Sequence, residues 1–246
     1  MKPEALRGMS PLIMALDMDD LEQARSAASK VSESVDVVKI GLQLFTRYGP
    51  EAVTLLKSDG FEVFLDMKFI DIPNTVSSAC LSVCALEPLM MTLHTMGGQE
   101  MMRSAAAEVR DHCSGRGVRQ PALIGVTVLT SIDLLALKKI GVTYSVDEEV
   151  IRLAMLAADS GLDGLVASPL EVTPVRNAVG DDMVLITPGV RPAGASVDDQ
   201  KRVATPSEAL DGGADFIVVG RPLTKAEDPA EVANRILEEA GVDRRA

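Results

Sequence analysis

A (β/α)8 barrel is the architecture this sequence predicts, and three observations predict it. Eight short apolar runs recur along the chain, starting at Leu12, Val35, Glu62, Leu89, Ala122, Gly164, Val184 and Phe216. Several are apolar at consecutive positions, as parallel strands buried on both faces are. Between them lie segments of helical periodicity opened by N-cap residues, the alternation that builds a parallel sheet. The length of 246 residues also suits one barrel, since single barrels fill about 200–250 residues. No Pro/Ser-rich linker or break in composition divides the chain, so residues 1–246 read as a single barrel domain with its core at about 11–240. A doubly wound open sheet is the alternative arrangement.

Taken in order, the strand candidates are Leu12–Asp17, Val35–Gly41, Glu62–Phe69, Leu89–Thr95, Ala122–Leu129, Gly164–Ser168, Val184–Gly189 and Phe216–Arg221. Helix starts are marked between them. Ser145-Val-Asp-Glu148 is a capping box, with Ile151, Ala154, Met155 and Ala158 following at helical spacing. Thr205-Pro-Ser-Glu208 and Asp228-Pro-Ala-Glu231 each add proline at the first helical position. Gly60, Gly161 and Gly213 close helices ahead of the next strand. The widest interval, from Ala122 to Gly164, has room for an extra short helix over Ser131–Ile140.

Composition narrows the class. Lys plus Arg number 24 and Asp plus Glu 36, a net charge of −12, which argues against a nucleic-acid-coating protein and its basic face. One small anionic ligand held by a few local cations stays compatible with it. No apolar run approaches the roughly 18 residues of a membrane helix. The N-terminal apolar stretch Leu12–Leu16 runs straight into Asp17 without a cleavage pattern, so no signal peptide is read and a cytoplasmic setting is expected. Cys80, Cys84 and Cys113 fit neither a zinc site nor a disulfide framework and are assigned to packing.

In a barrel, chemistry sits at the C-terminal ends of the strands. Those ends carry Asp17, Lys39, Asp66 with Lys68, His94, Thr127 with Thr130, Ser168, Arg191 and Arg221. Lys39 and Lys68 interrupt apolar runs, and a lysine facing a barrel interior must meet a carboxylate or an anionic ligand. The segment Asp66-Met-Lys-Phe-Ile-Asp71-Ile-Pro-Asn-Thr75 is the most informative. Asp66 and Lys68, two apart in a strand, point to the same side of the sheet. Asp71 lies just beyond the strand, ahead of Pro73. Two carboxylates and one or two ammonium groups can alternate in a network that keeps Lys68 protonated. Such a network serves equally as a structural salt bridge, a divalent-metal site or a catalytic array. Thr187-Pro-Gly-Val-Arg191-Pro and Val219-Gly220-Arg221-Pro place glycine and arginine after the seventh and eighth strands, where barrels often hold a phosphate. His94 has no evident partner and reads as a satisfied side chain, and the Met-rich stretches read as core filling.

These residues together resemble a known family. Ala15-Leu-Asp17, Lys39, Phe64-Leu-Asp-Met-Lys-Phe-Ile-Asp-Ile-Pro-Asn-Thr75, Val126-Thr-Val-Leu-Thr-Ser131, Thr187-Pro-Gly-Val-Arg-Pro192, Asp199-Gln-Lys-Arg202 and Val219-Gly-Arg-Pro222 are similar to the motifs of the orotidine 5′-monophosphate decarboxylases, bacterial branch. The resemblance runs from about Pro11 to Ala240; Ile70 departs from it, standing where many bacterial members carry His. It implies a homodimer of barrels with composite sites, using neither metal nor organic cofactor. Lys68 would be the proton donor to C6 of the pyrimidine, in an array of Lys39, Asp66, Lys68 and an Asp71 contributed across the interface. Asp17 and Lys39 would hold the ribose, Thr130 would lie at the base, and Thr75 would reach the ribose of the neighbouring site. Arg191, Gln200, Gly220 and Arg221 would close over the phosphate. Neither nucleic acid nor membrane is implied as a partner. Two other readings stay open on the same fold. One is a metal-assisted sugar-phosphate epimerase or keto-acid-phosphate decarboxylase with Asp66 and Asp71 as ligands. The other is a catalytically silent phosphate-ligand binding protein.

Overall fold

Eight parallel strands pair in chain order and the last closes on the first: Leu12–Ala15 (β1), Val37–Gly41 (β2), Glu62–Phe69 (β3), Met90–His94 (β4), Ala122–Val126 (β5), Gly164–Val166 (β6), Val184–Pro188 (β7) and Phe216–Val219 (β8). The computed structural model describes residues 4–190 and 204–242. Helices follow the strands as Leu21–Ser29 (α1), Leu42–Tyr48 (α2), Pro50–Ser58 (α3), Pro73–Cys84 (α4), Gln99–Arg116 (α5), Leu134–Lys139 (α6), Val146–Asp159 (α7), Val172–Val179 (α8), Pro206–Asp211 (α9), Arg221–Thr224 (α10) and Pro229–Glu239 (α11). The closed ring, not the open sheet, is the arrangement formed.

Strand alternation divides the apolar residues into two cores. Ile13, Ala15, Val37, Phe64, Met90, Ala122, Ile124, Val184, Ile186, Phe216 and Val218 point inward and fill the barrel. Their alternates, such as Met14, Val38, Leu65, Met91 and Leu185, point outward and pack with the helices. A side chain of the size of Phe64 or Ile186 contributes about 1.5–3 kcal/mol when fully buried, so the inner plug is a stable floor for whatever stands above it. Gly164 is required by this packing: a Cβ there would lie 2.5 Å from the Val184 carbonyl oxygen.

The local signals act as the sequence predicts. The Ser145 and Thr205 hydroxyls accept from the backbone N–H of Glu148 and Glu208, whose carboxylates reach back to the cap. Asp228 caps α11 through the N–H of Glu231. Gly60, Gly161 and Gly213 all adopt positive φ where helices end. The extra helix forms as α6, shorter than the expected Ser131–Ile140 and capped by Asp133. Cys80, Cys84 and Cys113 are buried free thiols, and burial pushes Cys80 up to about 12. Runs such as the last extend past their strands at the C-terminal end, whereas β2 and β3 end with theirs: β8 stops at Val219, and Arg221 opens α10.

Candidate active site

One step above the apolar plug, the inward-facing series turn polar. Val37 is followed on its side of β2 by Lys39, Phe64 on β3 by Asp66, and Met90 on β4 by Thr92. Above this floor opens a cavity of about 590 Å³. Asp17, Lys39, Asp66 and Lys68 form its charged wall, and Val126, Val166 and Ile186 its apolar wall. Thr130, Gly220 and Arg221 also line it.

Asp66 is the hub of the charged wall. Its Oδ1 and Oδ2 accept from Lys68 Nζ at 2.8 and 2.9 Å, and Oδ1 also accepts from the Thr92 hydroxyl at 3.0 Å. Lys39 Nζ lies 3.6 Å from Asp66 Oδ2 and donates to Asp17 Oδ1 at 3.1 Å. Burial alone would push the Asp66 carboxyl up. The Lys39 and Lys68 charges, with hydrogen bonds from Lys68 and Thr92, outweigh it and hold the group below the usual carboxylate range. The site thus presents ammonium groups on a fixed anion, arranged before any ligand arrives. Gly41 makes room for the outer pair, since a Cβ would stand 3.1 Å from Asp17 Oδ1 and 3.3 Å from Lys39 Nζ.

Lys68 reaches Asp66 by a route that strand alternation does not give. The β3–β4 register pairs Leu65 with Met91 and then Phe69 with Leu93. Asp66, Met67 and Lys68 therefore stand opposite Thr92 alone. Lys68 takes φ of +52°, in the left-handed region that a side chain rarely adopts. Two-residue alternation names the right pair of side chains, but a bulge with a left-handed residue brings them together.

Asp71 and Thr75 are not drawn into this array within the chain. Both are exposed and neither lines the cavity; Asp71 Oδ1 accepts from the Ile72 N–H at 2.7 Å. Arg191 and Gln200 lie outside the described residues. Thr127 donates to the Val166 carbonyl and serves the barrel wall. Ser168 lines the cavity with a buried hydroxyl that finds no partner among the described residues. His94 is half-buried and accepts from the Met96 N–H at 3.4 Å. Burial, helped by the Lys68 charge, holds it below the usual histidine range, so it is a neutral acceptor. Among the described residues no three His, Cys, Asp or Glu side chains gather as a metal-binding group. Thr92 escapes sequence reasoning; the available signal was a hydroxyl within the apolar run Leu89–Leu93, two residues before His94 and so of the same facing.

Comparison with known proteins bears on this arrangement. The chain is 48% identical over 233 residues to orotidine 5′-phosphate decarboxylase of Trichlorobacter lovleyi, covering 94% of this chain and 96% of that one. It is 45% identical over 229 residues to the enzyme of the same name from Moorella thermoacetica, covering 93% and 91%. The crystal structure of orotidine 5′-phosphate decarboxylase from Lactobacillus acidophilus superposes with a TM-score of 0.83 at 36% identity, covering 95% of this chain and all of that one. The family described as Orotidine 5′-phosphate decarboxylase / HUMPS matches residues 10–236, which include every described residue of the charged wall. With that match across nearly the whole barrel, the chain belongs to the orotidine 5′-phosphate decarboxylase / HUMPS family.

Proposed function

We propose that this chain decarboxylates orotidine 5′-monophosphate to uridine 5′-monophosphate, a step of pyrimidine biosynthesis, in the cytoplasm and without a cofactor. The observation that carries the reading is Lys68 Nζ held at 2.8 Å from Asp66 on the charged wall of a cavity whose facing wall is apolar. The C6–carboxylate bond breaks and its electron pair stays on C6. The Lys68 ammonium gives its proton to that carbon, carbon dioxide leaves, and solvent returns a proton to Lys68. The ring offers no conjugated sink of the kind an organic cofactor supplies. A fixed ammonium at the carbon both stabilises the developing charge and delivers the proton.

The remaining roles follow the cavity. Asp66 stands beside the substrate carboxylate and Lys39 completes the array. Asp17 and Lys39 hold the ribose hydroxyls, Thr130 lies at the base, and Gly220 and Arg221 hold the phosphate, with Arg191 and Gln200 closing over it. Asp71 of the partner subunit adds the fourth charge and Thr75 of the partner subunit reaches the ribose. Supporting this sharing, Asp71 and Thr75 are exposed in the chain, and the flanking Ile70 and Ile72 expose large apolar side chains as an interface segment does. Binding energy from the remote phosphate is available to orient the ring and raise the rate of the chemical step.

The test is loss of orotidine 5′-monophosphate absorbance with purified protein in excess chelator. Undiminished turnover is expected. No turnover by the well-folded protein overturns the reading, and a loss restored by magnesium or zinc replaces it with metal-assisted chemistry.

A further inference from the structure

The hydroxyl of Thr92 makes two hydrogen bonds, and their directions are fixed by chemistry. The backbone N–H of Lys68 is only a donor, so the bond at 2.7 Å requires Thr92 Oγ1 to accept. The hydroxyl's single proton is then left for Asp66 Oδ1 at 3.0 Å, where the ionised carboxylate can only accept. Thr92 itself is fully buried beneath the cavity floor. Three residues of β3 stand opposite this one residue of β4, and the Lys68 N–H, displaced from regular ladder pairing, finds the hydroxyl instead. The left-handed backbone at Lys68 is a conformation that persists only where its surroundings over-determine it.

We propose that Thr92 is a positioning residue for the decarboxylation: its hydroxyl clamps the β3 bulge and so aims the Lys68 ammonium at the reacting carbon while fixing the Asp66 carboxylate beside it. The inference rests on the function proposed above and adds a part to it that touches no substrate. Valine, of nearly the same shape, keeps the packing and loses both bonds. The left-handed turn at Lys68 then has no acceptor for its N–H, and the ammonium drifts from its line to the substrate. Misplacement of about 1 Å can cost on the order of 10²-fold in rate. The ribose and phosphate contacts lie elsewhere on the cavity wall, so ground-state binding is left intact.

The experiment compares wild type with Thr92→Val, Thr92→Cys and Thr92→Ser, measuring kcat and KM for orotidine 5′-monophosphate, the Kd of uridine 5′-monophosphate, and thermal unfolding. Thr92→Val is expected to lower kcat by about 10²-fold, with KM and the product Kd within about threefold. Thr92→Ser, which retains the hydroxyl, recovers most of the loss, and Thr92→Cys, a poor donor of similar size, falls between. A folded Thr92→Val with wild-type kcat overturns the proposal. So does a parallel loss of kcat, product affinity and melting temperature, which marks a merely structural residue. If Thr92→Val does not fold, Thr92→Cys decides, and wild-type kcat in that variant is equally fatal. An inactive wild type sinks the function reading itself, whereas an active wild type with an active Thr92→Val sinks only the clamp.

Discussion

Neutralising Asp66 is the most direct perturbation of the charged wall. In Asp66→Asn the two ammonium groups that the carboxylate separates, Lys39 at 3.6 Å and Lys68 at 2.8 Å, lose their shared anion. The side chains of Lys39 and Asp66 are both only 12% exposed, so solvent cannot replace what is lost. Removing one partner of a buried ion pair costs about 3–5 kcal/mol. Lys68 is 30% exposed and relieves part of this, placing the loss near about 3 kcal/mol. For a chain of this length each kcal/mol shifts Tm by about 2–4 °C, giving a fall of about 6–12 °C at pH 7. The pH dependence has a fixed sign. The folded carboxyl sits below its ordinary 3.8, so its contribution is complete above about pH 4 and is lost as pH falls through the folded value. Urea midpoints of wild type and Asp66→Asn, measured from pH 7 to pH 3, should therefore converge at the acid end. Lys39 keeps Asp17 at 3.1 Å, so in a double-mutant cycle the losses from Lys39→Met and Asp66→Asn should combine to less than their sum. Equal midpoints at pH 7, or a gap that ignores pH, would refute the claim that Asp66 is held ionised by its lysines.

Three further outcomes are expected. Arg221→Ala should lower kcat/KM at least about tenfold through lost charge-assisted bonds, while a substrate analogue lacking the phosphate is indifferent to it; equal slowing of both substrates would contradict the phosphate role. Lys68→Ala and Asp71→Ala homodimers should be nearly inactive, yet mixing them under subunit exchange should recover up to half of wild-type activity per heterodimer; no recovery despite proven exchange rules out shared sites. Gly41→Ala, at φ −97° where alanine is unstrained, should push Asp17 and Lys39 apart by a few tenths of an ångström. Because the Asp17 side of the pair is 57% exposed, the pair is worth at most about 1 kcal/mol, so Tm should fall by less than about 4 °C while KM rises; an unchanged KM would remove the pair from substrate binding.

Much of this was legible before any coordinates. Parallel strands buried on both faces print themselves as continuous apolar runs, and β3 begins and ends at Glu62 and Phe69 as its run does. Lysines within such runs declare an anion nearby, which is how Lys39 and Lys68 stood out. What stayed hidden depends on contacts distant in sequence. The bulge after Leu65 has no glycine to announce it; Thr92, 24 residues beyond Lys68, supports the left-handed turn there. Strand β6 shrank to Gly164–Val166 because pairing ends where the chain turns into the cavity rim, while apolarity continues to Ala167. The role proposed for Asp71 has no counterpart within the chain, since the segment that follows β3 is exposed there.

The two walls of the cavity are drawn from different halves of the barrel. The charged wall comes from Asp17 just past β1 and from Lys39, Asp66 and Lys68 on β2 and β3, and the facing apolar surface comes from Val126, Val166 and Ile186 on β5, β6 and β7. Charge and apolar surface are consequently written on separate stretches of the polypeptide. On the proposed function, resizing those three apolar side chains should change which ring substituents are admitted while Lys39, Asp66 and Lys68 stay as they are. The barrel in this respect behaves as a modular tool, with an interchangeable jaw set against a fixed one.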